Sequence, residues 1–236
     1  MKNLLLPLVI LLFGTSLGLR AQYSNAPTKD ATRWQMLKYD TGSIFGGIIH
    51  SYSRPFHWKK KQWMQFGGVA AGTSILYLFD DQTTEFFMDQ ADDIPQVVRD
   101  YGWYYGSPQN NYMLTAGVYA TGLALKNEKL RRTGVLLIAS ASAAGLLQQA
   151  SKYAFGRARP RSGDNYNSFY PFSSDKDYHS FPSGHAILAF TNAYAIAKQF
   201  KSPWVKGGVY AVGLVPGVSR LWEGPHWLTD VVVGVA

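Results

Sequence analysis

A run of 19 residues without a charge, Thr133–Ser151, restricts the folds open to this chain. Four other apolar stretches, Trp63–Phe79, Tyr112–Leu125, Ile187–Ala197 and Val209–Val218, also lack apolar–polar alternation, which favours helices over strands. Several of these runs are 14 to 19 residues long, close to the minimum for crossing a bilayer. The sequence therefore predicts an all-α, multi-helix bundle. Charged and aromatic breaks between the runs favour a membrane-embedded bundle over a soluble one.

Composition narrows the class of protein. Hydrophobic residues make up 47% of the chain and charged residues only 16%, which excludes a disordered chain. The net charge of +8 is spread along the chain without a basic stripe, so it fits an anionic substrate or membrane surface and not a nucleic acid.

Without cysteine, neither disulfides nor a thiolate metal site can form. The six acidic residues from Asp80 to Asp93 match no calcium loop, and we expect a solvated helix end there.

The order of segments predicts an exported protein. Residues 1–21 are typical of a signal peptide, with Lys2 before the apolar core Leu4–Phe13; an uncleaved anchor is the alternative. Residues 22–62 are predicted to form a polar or interfacial segment, irregular up to Tyr39, and residues 63–236 a helical domain. Ile94–Asn111, rich in glycine, proline and aromatic residues, is predicted to be a loop or a short amphipathic piece.

Three polar motifs lie among the last apolar runs. In the first, Lys152 and Arg159 follow the 19-residue run and are seven residues apart, or two helical turns. Pro160 disfavours helix at Arg159, so we expect this arginine where the helix opens into a loop. Cations in this position must face water or an anion. For the flanking Arg157 and Arg161 we expect solvated or headgroup-facing positions.

The second motif is Pro182-Ser183-Gly184-His185, just before an apolar run. Ser183 is a good N-cap, and Gly184 has no Cβ where a ligand would approach the backbone. A helix that starts here would direct its free N–H groups at an anion. His185 would stand beside that anion with a proton to give or take.

The third motif joins Ser219-Arg220 to His226 and Asp230. His226 and Asp230 are four residues apart, so a helix would place the carboxylate beside the imidazole. That arrangement fixes the tautomer of the ring and raises its basicity. Pro225 suits the first turn of such a helix. We therefore expect His226 and Asp230 to lie on one helix.

With these motifs the sequence resembles the type 2 phosphatidic acid phosphatase / vanadium haloperoxidase superfamily. The signature of that superfamily is K-x6-R-P, P-S-G-H and S-R-x5-H-x3-D, and residues 152–230 match all three parts without a substitution. The resemblance covers about Thr133–Asp230 and implies a helical phosphatase domain. The N-terminal half carries no diagnostic motif. The chain stops six residues after Asp230, inside an apolar run, and so we expect a helix that is cut short.

The resemblance also implies a role for each matched residue. His226 would be the nucleophile that forms a phosphohistidine, Asp230 would orient it, and His185 would protonate the leaving oxygen. The phosphoryl oxygens would be held by Lys152, Arg159, Ser183, Gly184 and Arg220. No metal or other cofactor is implied, except vanadate in a haloperoxidase.

The predicted function is the metal-independent hydrolysis of a phosphate monoester or diphosphate, on a lipid substrate. The alternatives are a soluble periplasmic acid phosphatase of broad specificity, a vanadium-dependent haloperoxidase and a non-enzymatic membrane protein that keeps a phosphate site. The predicted partners are a phosphorylated lipid or small phosphate ester and a membrane, with no nucleic acid. The predicted location is the bacterial cell envelope, in the membrane with the site facing the periplasm, or in the periplasm itself.

Overall fold

The computed structural model describes Pro27 and residues 30–236, so the predicted signal peptide lies outside the described residues. Within that range the chain forms nine α-helices and four short 3-10 helices without a β-strand, and the predicted all-α bundle is confirmed. The helices are α1 (Arg33–Ser53), α2 (Lys60–Tyr77), α3 (Asp80–Asp89), α4 (Gln96–Gly106), α5 (Pro108–Ala124), α6 (Glu128–Phe155), α7 (Gly184–Ala197), α8 (Pro203–Trp222) and α9 (Leu228–Val235).

The first helix begins where an irregular segment was predicted. The side chain of Thr32 accepts a hydrogen bond from the Gln35 backbone N–H at 3.2 Å, and the Gln35 side chain accepts one from Thr32 N–H at 2.8 Å. This capping box satisfies N–H groups at the start of a helix. Inside α1, buried Asp40 pairs with buried Arg131 of α6. The expectation of irregular structure was therefore wrong for Arg33–Tyr39, because a local cap and a distant ion pair both support the helix.

The segment Ile94–Asn111, predicted as a loop or a short amphipathic piece, contains the 11-residue helix α4 and the start of α5, so the loop alternative is wrong. Ser107 alone separates these helices, with extended backbone angles, and Pro108 occupies the first position of α5. Proline is favoured there because its fixed φ suits the helix and it lacks an N–H that would be left without a partner. The glycines of α4 serve close packing, which the sequence pattern did not distinguish from a loop.

The bundle is centred on α6 and α7. Helix α6 packs against α1, α5 and α7, and α7 packs against α4, α6, α8 and α9. Gly156 ends α6 with φ +59°, in the left-handed region. A Cβ at that position would lie 1.8 Å from the carbonyl oxygen of Tyr170, so only glycine fits. Arg159 consequently lies in the following loop, as predicted.

The polar motifs lie at one end of α6 and at the adjoining starts of α7 and α9. In the part of the chain that the structure describes, α6 is the one helix long and apolar enough to cross a membrane, judged by length and composition.

Candidate active site

The three sequence motifs meet in the structure through main-chain groups. The backbone N–H of Ser183 donates to the backbone carbonyl of Asp230 at 3.0 Å, which joins the second motif to the third. The Arg159 side chain donates to the carbonyl of Pro225 at 3.0 Å, which joins the first motif to the third. The candidate residues thus lie around one site.

Two predicted phosphate-binding cations converge on one oxygen. Lys152 Nζ donates to the His179 carbonyl at 2.5 Å, and Arg159 Nη2 donates to the same carbonyl at 3.1 Å. Burial and the nearby positive charge of Arg161 lower the pKa of Arg159. An arginine starts from so high a pKa that it remains a cation at neutral pH. Burial and the neighbouring Arg159 lower the pKa of Lys152 to about 7. The site therefore pairs a permanent cation with a lysine that a bound anion would favour in its protonated form.

The start of α7 has the form that the sequence predicts. The Ser183 side chain accepts from the Ala186 backbone N–H at 3.5 Å, and Ser183 itself is fully buried. A Cβ on Gly184 would lie 2.9 Å from the side-chain nitrogen of Gln148 in α6. Gly184 therefore lets α6 pack closely, in addition to the backbone access for a ligand that we inferred from the sequence.

His185 stands in the first turn of α7 with one unpaired nitrogen. Its Nε2 is buried and has no hydrogen-bond partner in the structure. Its ring lies 5.6 Å from that of Trp103 in α4, between ring centroids. Burial and the positive charges of Arg220 and Lys152 lower the pKa of His185 to about 4. The ring is therefore neutral at pH 7, and its free nitrogen is open to a hydrogen bond from or to a ligand.

His226 and Asp230 do not share a helix, contrary to our expectation. Helix α9 begins at Leu228, with Trp227 as its N-cap. The Asp230 carboxylate accepts from the Trp227 backbone N–H at 3.0 Å, so it caps the helix, and His226 stays outside it. His226 Nδ1 lies 3.6 Å from Asp230 Oδ2, beyond hydrogen-bond distance.

Ser180 fills the space between His226 and Asp230. Its hydroxyl donates to Asp230 Oδ2 at 2.5 Å and lies 3.5 Å from His226 Nδ1. Ser180 and Asp230 are fully buried, and His226 is 4% exposed. Ser180 is therefore a further candidate site residue. The sequence did not predict it, because it lies two residues before the second motif and matches no part of the signature.

Burial and the neighbouring charges together keep the imidazole of His226 neutral. Burial lowers the pKa of His226 to about 3, assisted by the positive charges of Lys152 and Arg159 and opposed by Asp230. Burial would raise the pKa of Asp230, but the neighbouring His226 ring, the Arg157 charge and the Ser180 hydroxyl lower it to about 2. A neutral imidazole backed by an ionised carboxylate is a form in which histidine can act as a nucleophile.

Arg220 is held by acidic and aromatic neighbours. Its guanidinium pairs with Glu223 at 2.9 Å, and its Cζ lies 4.8 Å from the centre of the Trp103 ring. Two further nitrogen atoms donate to the Ser219 hydroxyl at 3.2 Å. The guanidinium is 1% exposed, whereas the Glu223 side chain is 34% exposed. Trp103 therefore contacts both Arg220 and His185, which places α4 beside the site.

Arg157 and Asp80 lie behind the site, although we expected both to be solvated. Arg157 is 1% exposed and Asp80 is fully buried. Arg157 forms ion pairs of 2.7 Å with both Asp80 and Asp230. The left-handed turn at Gly156 redirects the chain so that Arg157 enters the bundle. Asp80 is 77 positions away in the chain, so no local pattern revealed this partner.

Within the residues that the structure describes, no group of three or more histidine, aspartate or glutamate side chains is arranged to hold a metal ion. The site instead presents two neutral imidazoles, one ionised carboxylate and several cations. This combination suits the binding of a phosphoryl group and attack on it by nitrogen.

Comparison with known proteins agrees with the resemblance seen in the sequence. Residues 133–236 match the PAP2 superfamily, which confirms the predicted family over that part of the chain. A lipid A 1-phosphatase of Rhizobium etli is 36% identical over 107 residues, 44% of this chain and 44% of that protein. An undecaprenyl-diphosphatase of Sulfolobus acidocaldarius is 32% identical over 115 residues, 48% of this chain and 54% of that protein. The chain thus spans about half the length of these relatives.

Among solved structures, Aquifex aeolicus LpxE is similar over 64% of this chain and 86% of its own, with 21% identity and a TM-score of 0.47.

Proposed function

We propose that this protein, whose residues 133–236 match the PAP2 superfamily, is a metal-independent phosphatase that acts on a phosphorylated lipid. The observation that carries the proposal is the buried pair of neutral His226 and ionised Asp230, beside Lys152 and Arg159, whose side chains converge on one carbonyl oxygen. The substrate is a phosphate monoester or a diphosphate.

The reaction begins with attack of His226 Nε2 on phosphorus. Nδ1 is the ring nitrogen that faces Ser180 and Asp230, which leaves Nε2 for the phosphoryl group. The new N–P bond replaces the bond to the leaving oxygen, and Asp230 stabilises the positive charge on the ring. Lys152, Arg159 and Arg220 offset the negative charge of the phosphoryl oxygens. Ser183 and Gly184, at the start of α7, can donate to the same oxygens.

His185 supplies the proton for the leaving oxygen. Burial and neighbouring cations hold the pKa of His185 at about 4. A bound phosphate brings negative charge to those cations, which raises the pKa of His185 and allows it to carry a proton. Once the leaving group has that proton, neutral His185 accepts one from water as the water attacks the phosphohistidine. The products are an alcohol, or a lipid monophosphate, and inorganic phosphate.

A lipid substrate is supported by the surface and by the names of the relatives. Helix α2 has no buried residue, and five of its large apolar side chains are each at least 43% exposed: Trp63, Met64, Phe66, Val69 and Ile75. Leu146 and Leu147 of α6 are each 59% exposed. Apolar surface of this extent is suited to lipid. The relatives named lipid A 1-phosphatase and undecaprenyl-diphosphatase act, by those names, on lipid phosphates.

Export to the cell envelope completes the proposal. It is supported by the signal peptide predicted from residues 1–21 and by the position of the polar motifs at one end of the bundle. The site would face the periplasm, at the membrane surface.

A substrate panel tests the proposed function. The full chain, purified in detergent with a metal chelator, is offered phosphatidic acid, an isoprenyl diphosphate, lipid A and a small soluble phosphate ester. We expect phosphate release from at least one lipid, and its loss in His226→Asn. The matched control is His57→Asn, which changes an exposed histidine outside the motifs. Preference for the small ester would favour the broad-specificity acid phosphatase, and halide oxidation with vanadate alone would favour the haloperoxidase.

A further inference from the structure

Arg157 has no place in the three motifs, yet it contacts the residue that supports the proposed nucleophile. Its guanidinium is surrounded by three aromatic rings, those of Tyr77, Phe169 and Trp227, with Cζ 4.9, 5.9 and 5.5 Å from their centres. Arg157 is only 1% exposed, and the rings attract its positive charge through cation–π contacts. A charge so enclosed requires ionised partners, and Asp80 and Asp230 provide them.

On one side, Arg157 fixes the orientation of the Asp230 carboxylate. Arg157 Nη1 donates to Oδ1 at 2.7 Å, while the Ser180 hydroxyl and the Trp227 backbone N–H donate to Oδ2 at 2.5 and 3.0 Å. Because the two oxygens have different donors, the carboxylate is held with Oδ2 toward His226. Without Arg157, Oδ1 would lose its charged partner, and burial would favour a protonated carboxyl group.

On the other side, Asp80 fixes both Arg157 and the start of α9. Its Oδ2 accepts from Arg157 Nη2 at 2.7 Å and from the Thr229 hydroxyl at 2.5 Å. Its Oδ1 accepts from the Thr229 backbone N–H at 3.0 Å. Asp80 therefore binds the residue next to Asp230 as well as the arginine that contacts Asp230. A change at Asp80 would act on Asp230 by two routes.

The charges of this cluster complement a phosphorylated histidine. Burial raises the pKa of Asp80, and hydrogen bonds from Thr229 and Arg157 oppose that rise. With both carboxylates ionised in their pairs with Arg157, two negative charges face one positive charge in a buried volume. His226 is neutral before reaction. When its Nε2 is bonded to phosphorus and Nδ1 keeps its proton, the ring carries one positive charge. That positive charge would lie beside the net negative charge of the cluster, which favours the intermediate over the neutral ring.

We propose that Asp80 and Arg157 are positioning residues for the phosphohistidine step. Arg157 orients Asp230 and keeps it ionised, and Asp80 holds Arg157 and supplies the negative charge that the phosphorylated ring requires. The proposal rests on the proposed function. Neither residue touches the substrate, so substitution should slow the chemical step and leave substrate binding unchanged.

The test compares Asp80→Asn and Arg157→Lys with the wild type on the lipid phosphate that the panel identifies. We expect kcat to fall about 10- to 100-fold, as is typical for residues that orient a catalytic group, with KM and inhibition by inorganic phosphate unchanged. Phosphohistidine trapped by alkaline quenching should accumulate more slowly. Matched controls are Asp81→Asn, at an exposed neighbour of Asp80, and Arg132→Lys, in an exposed ion pair with Glu128. Both should retain wild-type kcat.

A readout that needs no activity separates this proposal from the proposed function. Nitrogen NMR of isotopically labelled histidine, assigned with His226→Asn, reports the hydrogen-bond state of His226. We expect Asp80→Asn and Arg157→Lys to shift the Nδ1 resonance and Asp81→Asn to leave it unchanged.

If the wild type is inactive but these variants still shift the resonance, the phosphatase is refuted while Asp80 and Arg157 keep their role in positioning the His226 ring. Unchanged kcat and unchanged resonances in folded Asp80→Asn would overturn the proposal, as would weaker binding of inorganic phosphate. If Arg157→Lys does not fold, Asp80→Asn decides alone.

Discussion

Gly106 allows α4 to approach His185 so closely that a Cβ on this glycine would lie 2.7 Å from His185 Cδ2 and 2.9 Å from the Cβ of Pro216. Such distances are shorter than van der Waals contact permits. Helix α4, which carries Trp103, therefore restricts the position of the proposed acid.

Gly106→Ala should displace either α4 or the His185 ring. We expect kcat to fall at least about tenfold and the free energy of unfolding to fall by about 1–3 kcal/mol, the usual cost of overpacking. Phosphate release and denaturant unfolding measure the two effects. The matched control is Gly117→Ala in α5, where a Cβ would have no atom within 4 Å. There we expect unchanged activity and a stability gain of up to about 1 kcal/mol.

Glu223→Gln should strengthen phosphate binding. Glu223 pairs with Arg220 at 2.9 Å, and its negative charge opposes the approach of an anion to that guanidinium. Since Glu223 is partly exposed, we expect the inhibition constant of inorganic phosphate to fall by only about two- to fivefold. Glu128→Gln, in the exposed pair with Arg132, is the control and should have no effect. Weaker phosphate binding in Glu223→Gln would instead mean that Glu223 holds Arg220 in its binding orientation.

Acidification should destabilise the substrate-free protein below about pH 6.5, the pKa of histidine in an unfolded chain. His185 and His226 have folded pKa values of about 4 and about 3, so the unfolded state binds more protons between those values and pH 6.5. The free energy of unfolding therefore falls as pH falls through this window. His226→Gln should reduce the slope near pH 5 by about 1.4 kcal/mol per pH unit, measured by denaturant unfolding in detergent.

Asp40→Asn should destabilise the bundle without impairing the site. The change leaves Arg131 buried without its counter-charge and weakens a 2.9 Å hydrogen bond from Tyr119. We expect a loss of about 3–5 kcal/mol in the free energy of unfolding, against at most about 1 for Glu128→Gln in an exposed pair. Arg131 and Lys152 are about 30 Å apart along α6. Below the melting transition kcat should equal that of the wild type; a reduced kcat would show that the two regions are coupled.

Local signals sufficed to predict some features of the site. Ser183 before an apolar run predicted the start of α7, and Pro160 predicted the loop position of Arg159; the structure has both. The three motifs predicted one site, and one main-chain hydrogen bond and one hydrogen bond from the Arg159 side chain join them. For the start of α7 and for the loop at Arg159, a neighbouring residue determines the local backbone, so the sequence contains the necessary information.

Other features depend on contacts between distant residues. Arg157 and Arg161 look alike in the sequence, but the left-handed turn at Gly156 directs only Arg157 into the bundle, whereas Arg161 is exposed. The four-residue spacing of His226 and Asp230 suggested a shared helix, yet Asp230 caps the helix and His226 precedes it. Spacing alone does not tell where a helix begins.

The hydrogen bond from Ser183 N–H to the Asp230 carbonyl uses no side-chain atom. This link between the segment that carries His185 and the segment that carries His226 therefore does not depend on the side chains of Ser183 and Asp230. Replacing Asp230 by asparagine or Ser183 by alanine keeps this link intact. Such variants weaken or lose the caps that these side chains provide at the starts of α7 and α9, but the main-chain link still ties the segment of the proposed acid to the segment of the nucleophile.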